Sequence, residues 1–100
     1  MAKQSMLQKE LKRQKLITKY KKKRIDLLLK FKNSKIMSER DFLSIKIQKL
    51  PKNSSPTRLR NRCWKTGKSR GYFRFFGLCR NSIRELSLQC YLPGIIKSSW

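Results

Sequence analysis

The chain has no histidine and only five acidic residues, Glu10, Asp26, Glu39, Asp41 and Glu85, scattered along its 100 positions. General acid–base chemistry near neutral pH draws on His or on tuned carboxylates. Only Glu39 and Asp41 are close, and a spacing of two turns them to different faces of a helix. A hydroxyl or thiol nucleophile would lack a base, so the composition argues against an enzyme. No run of about 18 apolar residues exists, which excludes a membrane-spanning helix. The opening MAKQSMLQKELKRQK has no apolar core of the secretory type. It is basic enough to pass for a transit peptide, yet it carries Glu10 and lacks an Arg and Ser bias. Three cysteines, an odd number, exclude a complete disulfide framework and fit a reducing compartment.

Positive charge is what the chain has in excess: 27 Lys or Arg leave a formal net charge of +22, while hydrophobic residues reach only 38%. The length suits one domain, and a chain of this size buries only about two-thirds of the surface it exposes when unfolded. Self-repulsion then opposes compaction, so the expectation is a fold that a polyanion completes. The charge also changes in kind along the chain. Residues 1–35 carry a net +11, mostly from Lys, residues 36–60 carry +4, and residues 61–100 carry +7. Arg supplies seven of the nine basic residues between 58 and 84. Lys is a hydrated point charge, whereas Arg offers a planar fork that binds phosphate bidentately and stacks on bases. A diffuse electrostatic arm followed by a geometrically defined module is expected.

Residues 3–31 lack Pro and Gly, and Leu7, Leu11, Ile17, Tyr20, Leu28 and Phe31 mark a loose helical stripe that Asn33-Ser34 ends. Ser38, with Asp41 three residues on, is expected to cap a second helix from Glu39 to Leu50, with Leu43, Ile47 and Leu50 on its apolar face and Pro51 as its stop. PKNSSPTRLRNR, residues 51–62, reads as an extended, turn-rich linker. Three glycines punctuate residues 63–77 as in a short hairpin or knuckle. A third helix is expected from about Asn81 to Leu92, with Cys79, Ile83, Leu86 and Cys90 on one apolar face and Arg80 and Arg84 on another. On this reading Cys90 is a small buried hydrophobe. Pro93-Gly94 ends the helix and leaves a tail whose terminal Trp100 serves as an anchor.

The basic and aromatic stretch from Arg58 to Arg84 is the densest signal. Its cations neutralise phosphates and release counterions, and exposed rings would receive unpaired bases. Phe73, Phe75 and Phe76 are expected to form the knuckle core, leaving only Tyr72 facing out. Cys63-x2-Thr66 and Cys79-x2-Ser82 have the spacing of two zinc hooks in which a hydroxyl replaces the second sulfur. Two thiolates with no His make a weak site, so no metal or other cofactor is expected. GKSR at 67–70 is not a phosphate-binding loop, because the upstream glycine of that motif is absent.

These motifs closely resemble one family, small-subunit ribosomal protein fourteen, in its long form without zinc. The opening MAKQSM, the spaced KRQKL, KY and KR, then LPKNSSPTRLRNRC, TGKSRG, FGLCRNSIRE, LPG and the closing KSSW follow the family in order, most weakly between 32 and 45. The family's zinc form has a second Cys where this chain has Thr66 and Ser82. The resemblance implies a structural rRNA-binding protein of the small-subunit head, with small-subunit proteins three, ten and nineteen as neighbours, no membrane and no homo-oligomer. Lys12, Arg13, Lys19 and Arg24 match its basic helix; Arg58, Arg60, Asn61 and Arg62 match its rRNA-binding linker. Lys65, Lys68, Arg70, Tyr72 and Arg74 match its knuckle, and Arg80, Arg84, Lys97 and Ser98 its C-terminal segment. Lys68-Ser69 stands where the family prefers Arg-Pro, Phe75 where a basic residue is common, and Cys79 where the zinc-free form often has Ser.

The expected architecture is therefore mostly α and extended. It comprises a long N-terminal helix, a second short helix, an extended linker, a small zinc-ribbon-like knuckle that has lost its metal, and a C-terminal helix. The expected divisions are a basic helical arm at 1–50, a basic linker at 51–62, and the knuckle with its helix and tail at 63–100. The resemblance begins at Met1, which leaves no room for a presequence and implies a bacterial or organelle-encoded chain. LCRNSIRE and GIIKSSW look closer to mitochondrial members, so a mitochondrial ribosome is expected, with plastid stroma or bacterial cytoplasm as alternatives. The rival functions are a DNA-compacting protein and a membrane-surface protein built on the basic helix.

Overall fold

The structure, a computed structural model, describes residues 2–99; the anchor expected at Trp100 lies outside them. Its elements are helix α1 (Gln4–Asn33), helix α2 (Met37–Gln48), two single 3-10 turns (Lys52–Ser54 and Pro56–Arg58), strands β1 (Tyr72–Phe73) and β2 (Leu78–Cys79), and helix α3 (Arg80–Leu88). They fall into two compact units, residues 8–59 and residues 60–99 together with 2–7. Among the described residues no helix is long and apolar enough to cross a membrane.

In the first unit, α1 runs unbroken because nothing in it interrupts helical hydrogen bonding. Its less exposed positions, Glu10, Arg13, Leu16, Ile17, Tyr20, Arg24, Leu27 and Phe31, recur every three or four residues. Leu11 and Leu28, expected on this stripe, are instead exposed. Leu11 and Ile17 are six residues, about one and two-thirds turns, apart and cannot share a face. The stripe passes through Glu10, which is buried and bridged to Arg13 at 3.2 Å. At the end of α1 the Ser34 hydroxyl donates to the Phe31 carbonyl at 3.0 Å and so occupies one of the last free acceptors.

Helix α2 starts earlier than expected, so Ser38 lies inside its first turn and caps nothing. The N-cap is Ile36, with no side-chain cap bond. The helix also ends at Gln48, because the residue before Pro51 is biased away from helical geometry. Leu43 and Ile47 are half-buried and Leu50 is buried, as the periodicity requires. The following segment is turn-rich but not fully extended, since Pro51 and Pro56 preset the backbone for two tight turns. Arg24 fastens it by donating to Ser54 Oγ at 2.8 Å and to the Pro51 carbonyl at 3.5 Å.

In the second unit β1 and β2 pair antiparallel, with Tyr72 opposite Cys79 and Phe73 opposite Leu78. Cys63, Leu78 and Cys79 form the buried core, and Phe76, Ile83 and Leu86 pack on it. Residues 2–7 close one side, where Ala2 N donates to the Thr66 carbonyl at 3.3 Å. Gly67 adopts φ +77 there, and a Cβ on it would stand 3.1 Å from both Ala2 Cβ and Leu7 Cδ2.

Helix α3 is shorter than expected. Its ending corrects the reading of Cys90, which is exposed and lies beyond the helix at φ +60. Tyr91 N bonds the Leu86 carbonyl at 3.0 Å and Cys90 N the Ser87 carbonyl at 3.1 Å, the pattern of a Schellman motif. That motif favours Gly at the left-handed position, because a Cβ there meets the following carbonyl. Cys90→Gly is expected to stabilise the second unit by roughly 1 kcal/mol, and Cys90→Ala to leave it unchanged. Thermal melting of the full-length protein, followed by circular dichroism, checks this; equal melting temperatures for all three chains would contradict it.

Candidate nucleic-acid interface

The structure separates basic side chains committed to the fold from those left facing solvent. In the first unit Arg13 is tied to Glu10 and Arg24 to the 51–54 turn, while Lys12, Lys19 and Arg58 are exposed. Lys19 Nζ stands 5.6 Å from the Tyr20 ring centroid. In the second unit Arg62 is half-buried and donates to the Gly67 carbonyl at 3.1 Å, bracing the turn it precedes. Lys65 lies 3.4 Å from Glu85, and Arg60, Asn61, Lys68, Arg70 and Arg74 are exposed. Tyr72, expected to face out, is half-buried.

Helix α3 and the tail bring four of the expected residues together. Arg80, Arg84, Lys97 and Ser98 line a groove of about 300 Å³, with Phe73, Ile83 and Ile96 among its apolar walls. Arg80 and Arg84, four residues apart, share one side of the helix, while Ile83 turns inward to the core. Cations around an apolar floor can bind phosphates while a base or sugar rests below them.

The aromatic residues depart from expectation. Phe76 alone of the three phenylalanines packs on the core; Phe73 and Phe75 are exposed, Phe75 at 91%. The two-residue strands cover little: Phe73 lies on the opposite side of β1 from half-buried Tyr72, and Phe75 stands in the turn that follows the strand. Trp64, also exposed at 72%, was not marked by the sequence reading. Alternation beside Tyr72 is the signal that would have found Phe73; Phe75, in the turn, and Trp64 carried none.

Cys63, Thr66, Cys79 and Ser82 do converge. The Cys63 thiol donates to Ser82 Oγ at 3.7 Å, Cys79 Sγ and Ser82 Oγ lie 3.3 Å apart, and Thr66 Oγ1 and Cys79 Sγ 3.6 Å apart. Two thiols and two hydroxyls, bonded to one another, do not fit a structural zinc ion, which takes Cys and His ligands. Among the described residues no three His, Cys, Asp or Glu side chains gather where a metal could be held.

The same network eases ionisation. Burial opposes it at Cys63, but hydrogen bonds with the Thr66 hydroxyl, the backbone of Cys79 and Thr66, and the Ser82 hydroxyl outweigh burial and lower its pKa to about 6. Cys79 is lowered chiefly by the Ser82 hydroxyl and backbone, against burial. Between about 6 and the ordinary 9.0 the unfolded chain binds more protons at Cys63 than the folded one. Stability is therefore expected to rise with pH across that window, to be lost as pH falls towards 6, and to flatten in Cys63→Ser. Melting temperatures under reducing conditions, with thiolate ultraviolet absorbance alongside, check this; a flat profile in the native chain would contradict it.

Comparison with known proteins accords with this picture. The family model for Ribosomal protein S14p/S29e matches residues 46–99. Over the full length of both chains, this one is 56% identical to Small ribosomal subunit protein uS14 of Synechococcus sp. (strain JA-2-3B'a(2-13)). It is likewise 54% identical to Small ribosomal subunit protein uS14c of Mesostigma viride and 53% to that of Rhodomonas salina. These relatives are cyanobacterial and plastid proteins, which corrects the expected mitochondrial origin in favour of the plastid or bacterial alternative. Two short C-terminal segments had carried that expectation, and identity across the whole chain outweighs them. The family-model match and this full-length identity place the chain in the ribosomal protein S14p/S29e family.

Proposed function

We propose that the chain is a non-enzymatic structural component of the small ribosomal subunit that binds small-subunit rRNA in the head and supports assembly and translation. The observation that carries this is the concentration of exposed Arg and Lys on the second unit, including the groove of Arg80, Arg84, Lys97 and Ser98, in a chain of net charge +22 from a ribosomal family. Residues 63–100 make the defined contacts, 51–62 thread between rRNA strands, and 1–50 act as a basic arm. Arg13, Arg24 and Arg62 contribute mainly by fixing the backbone that presents the others. The neighbours are small-subunit proteins three, ten and nineteen, the chain is not a homo-oligomer, and the ribosome is that of a plastid or a cyanobacterium. The Cys63, Thr66, Cys79 and Ser82 cluster is a zinc-ribbon site that has exchanged its metal for hydrogen bonds.

The exposed guanidiniums offer bidentate phosphate contacts that a single ammonium cannot match. Arg74→Ala and Arg84→Ala are therefore expected to lower incorporation in a subunit-assembly competition more than Lys12→Ala or Lys19→Ala. Equal losses in both groups would overturn this assignment of roles. Neutralising about eight phosphates should give a log–log salt slope of roughly −6 to −7. At about 0.5 M salt, where the Debye length is only about 4 Å, the protein is expected to sediment with small subunits. Release to the top of the gradient, with a preference for duplex DNA at matched salt, would support DNA compaction instead. Purified small subunits are expected to contain no stoichiometric zinc attributable to this protein; a zinc equivalent lost in Cys63→Ser would contradict the metal-free knuckle.

A further inference from the structure

Phe75 has a combination of features that packing does not explain. It is the most exposed large hydrophobic residue among those described, at 91%, and it sits in the tight turn between β1 and β2. The turn is pinned by Gly77 N donating to the Phe73 carbonyl at 2.9 Å, and Trp64 N donates to the Gly77 carbonyl at 3.3 Å. The Phe75 ring meets Phe76 edge-to-face, with centroids 5.0 Å apart and planes at 90°. Phe76 is in turn anchored on the Cys63, Leu78 and Cys79 core. The ring is thus held by a neighbour that is itself held, and it still presents an open face to solvent.

The surroundings specify what that face receives. Arg74 precedes it in the same turn and is exposed, as are Lys65, Lys68 and Arg70 in the segment leading to β1. Glu85 is the sole acidic residue between 61 and 100. An apolar ring in so cationic a setting suits a polyanion that carries flat apolar groups, which is single-stranded nucleic acid. A protein partner would need both an apolar socket and an acidic rim. We propose that Phe75 is a stacking platform for one unpaired nucleobase of the bound RNA, with Arg74 holding a phosphate beside that base. The proposal rests on the RNA-binding reading above and adds to it a position that discriminates unpaired from paired RNA. A stacked duplex presents no base face to the ring, whereas an unpaired loop does.

The test uses the full-length protein and two probes of equal length and charge, an RNA hairpin with a single-stranded loop and a continuous RNA duplex. Phe75→Ala is expected to weaken binding of the looped RNA about 5- to 100-fold, to change duplex binding less than twofold, and to leave the salt slope unaltered. Phe75→Tyr and Phe75→Trp should retain the native preference, because both keep a π face. Phe75→Leu should fall with Phe75→Ala, since it keeps apolar bulk and lacks the ring. Arg74→Ala should weaken both probes and reduce the salt slope by about one. Native affinity in Phe75→Leu or Phe75→Ala would overturn the stacking site while leaving RNA binding intact. Failure of the native chain to prefer either RNA over duplex DNA at matched salt would instead overturn the RNA-binding reading itself. Since Phe75 contributes almost nothing to burial, unchanged circular dichroism is expected for every variant at this position.

Discussion

Every stabilising element in this chain works against an unbalanced positive charge, 27 cationic side chains facing five acidic ones. A large apolar core would be the ordinary answer, since burial is the main favourable contribution to folding. Here the buried apolar side chains among the described residues are Leu50, Cys63, Leu78 and Cys79, too few to offset repulsion across the whole chain. The fold instead relies on short-range devices, each closing a small unit. Arg24 fastens a proline-bounded turn, the Cys63–Ser82 network closes the knuckle, and residues 2–7 seal it at Gly67. Under the proposed function, bound RNA would remove the repulsion that these devices only localise.

Arginine serves two purposes under that constraint, and the structure sorts them. A guanidinium tied to internal oxygens, as at Arg24 and Arg62, offers much less of its fork to phosphate. Arg70, Arg74, Arg80 and Arg84 are exposed and keep theirs turned to solvent. The exposed lysines of α1 supply charge with little geometric demand. Under the proposed function, affinity would be diffuse along one stretch and geometrically specified along the other. It agrees with the change from Lys to Arg along the sequence.

The three helices and the convergence of the four knuckle positions were legible in the sequence. Each depends on local chemistry or on spacing: Pro51 stops α2, the x2 spacing brings Thr66 and Ser82 beside the two thiols, and an interval of four puts Arg80 and Arg84 on one side of α3. The misreadings share a different cause. Ser38 was expected to cap by residue type, yet Ile36 opens the helix two residues earlier. Cys90 was assigned to a helical face on periodicity, while a left-handed residue had already ended the helix. Leu11 and Leu28 were placed on the helical stripe, although the less exposed face runs through Glu10 and Arg13. Where a small core leaves apolar residues in surplus, residue type stops predicting burial.

The aromatic turn follows from the same shortage of interior. Strands of two residues offer one covered side and one open side, and Phe76 with its core neighbours fills the covered side. A knuckle organised by a metal would need little apolar filling, because four ligand bonds would fix its hairpins. One organised by hydrogen bonds among two thiols and two hydroxyls depends more on a ring in Phe76's place. With Phe76 inside, the strand turns Phe73 outward, and Phe75, in the turn that follows, meets Phe76 edge-to-face. The ring that packs on the core is therefore also the one that the exposed ring meets edge-to-face.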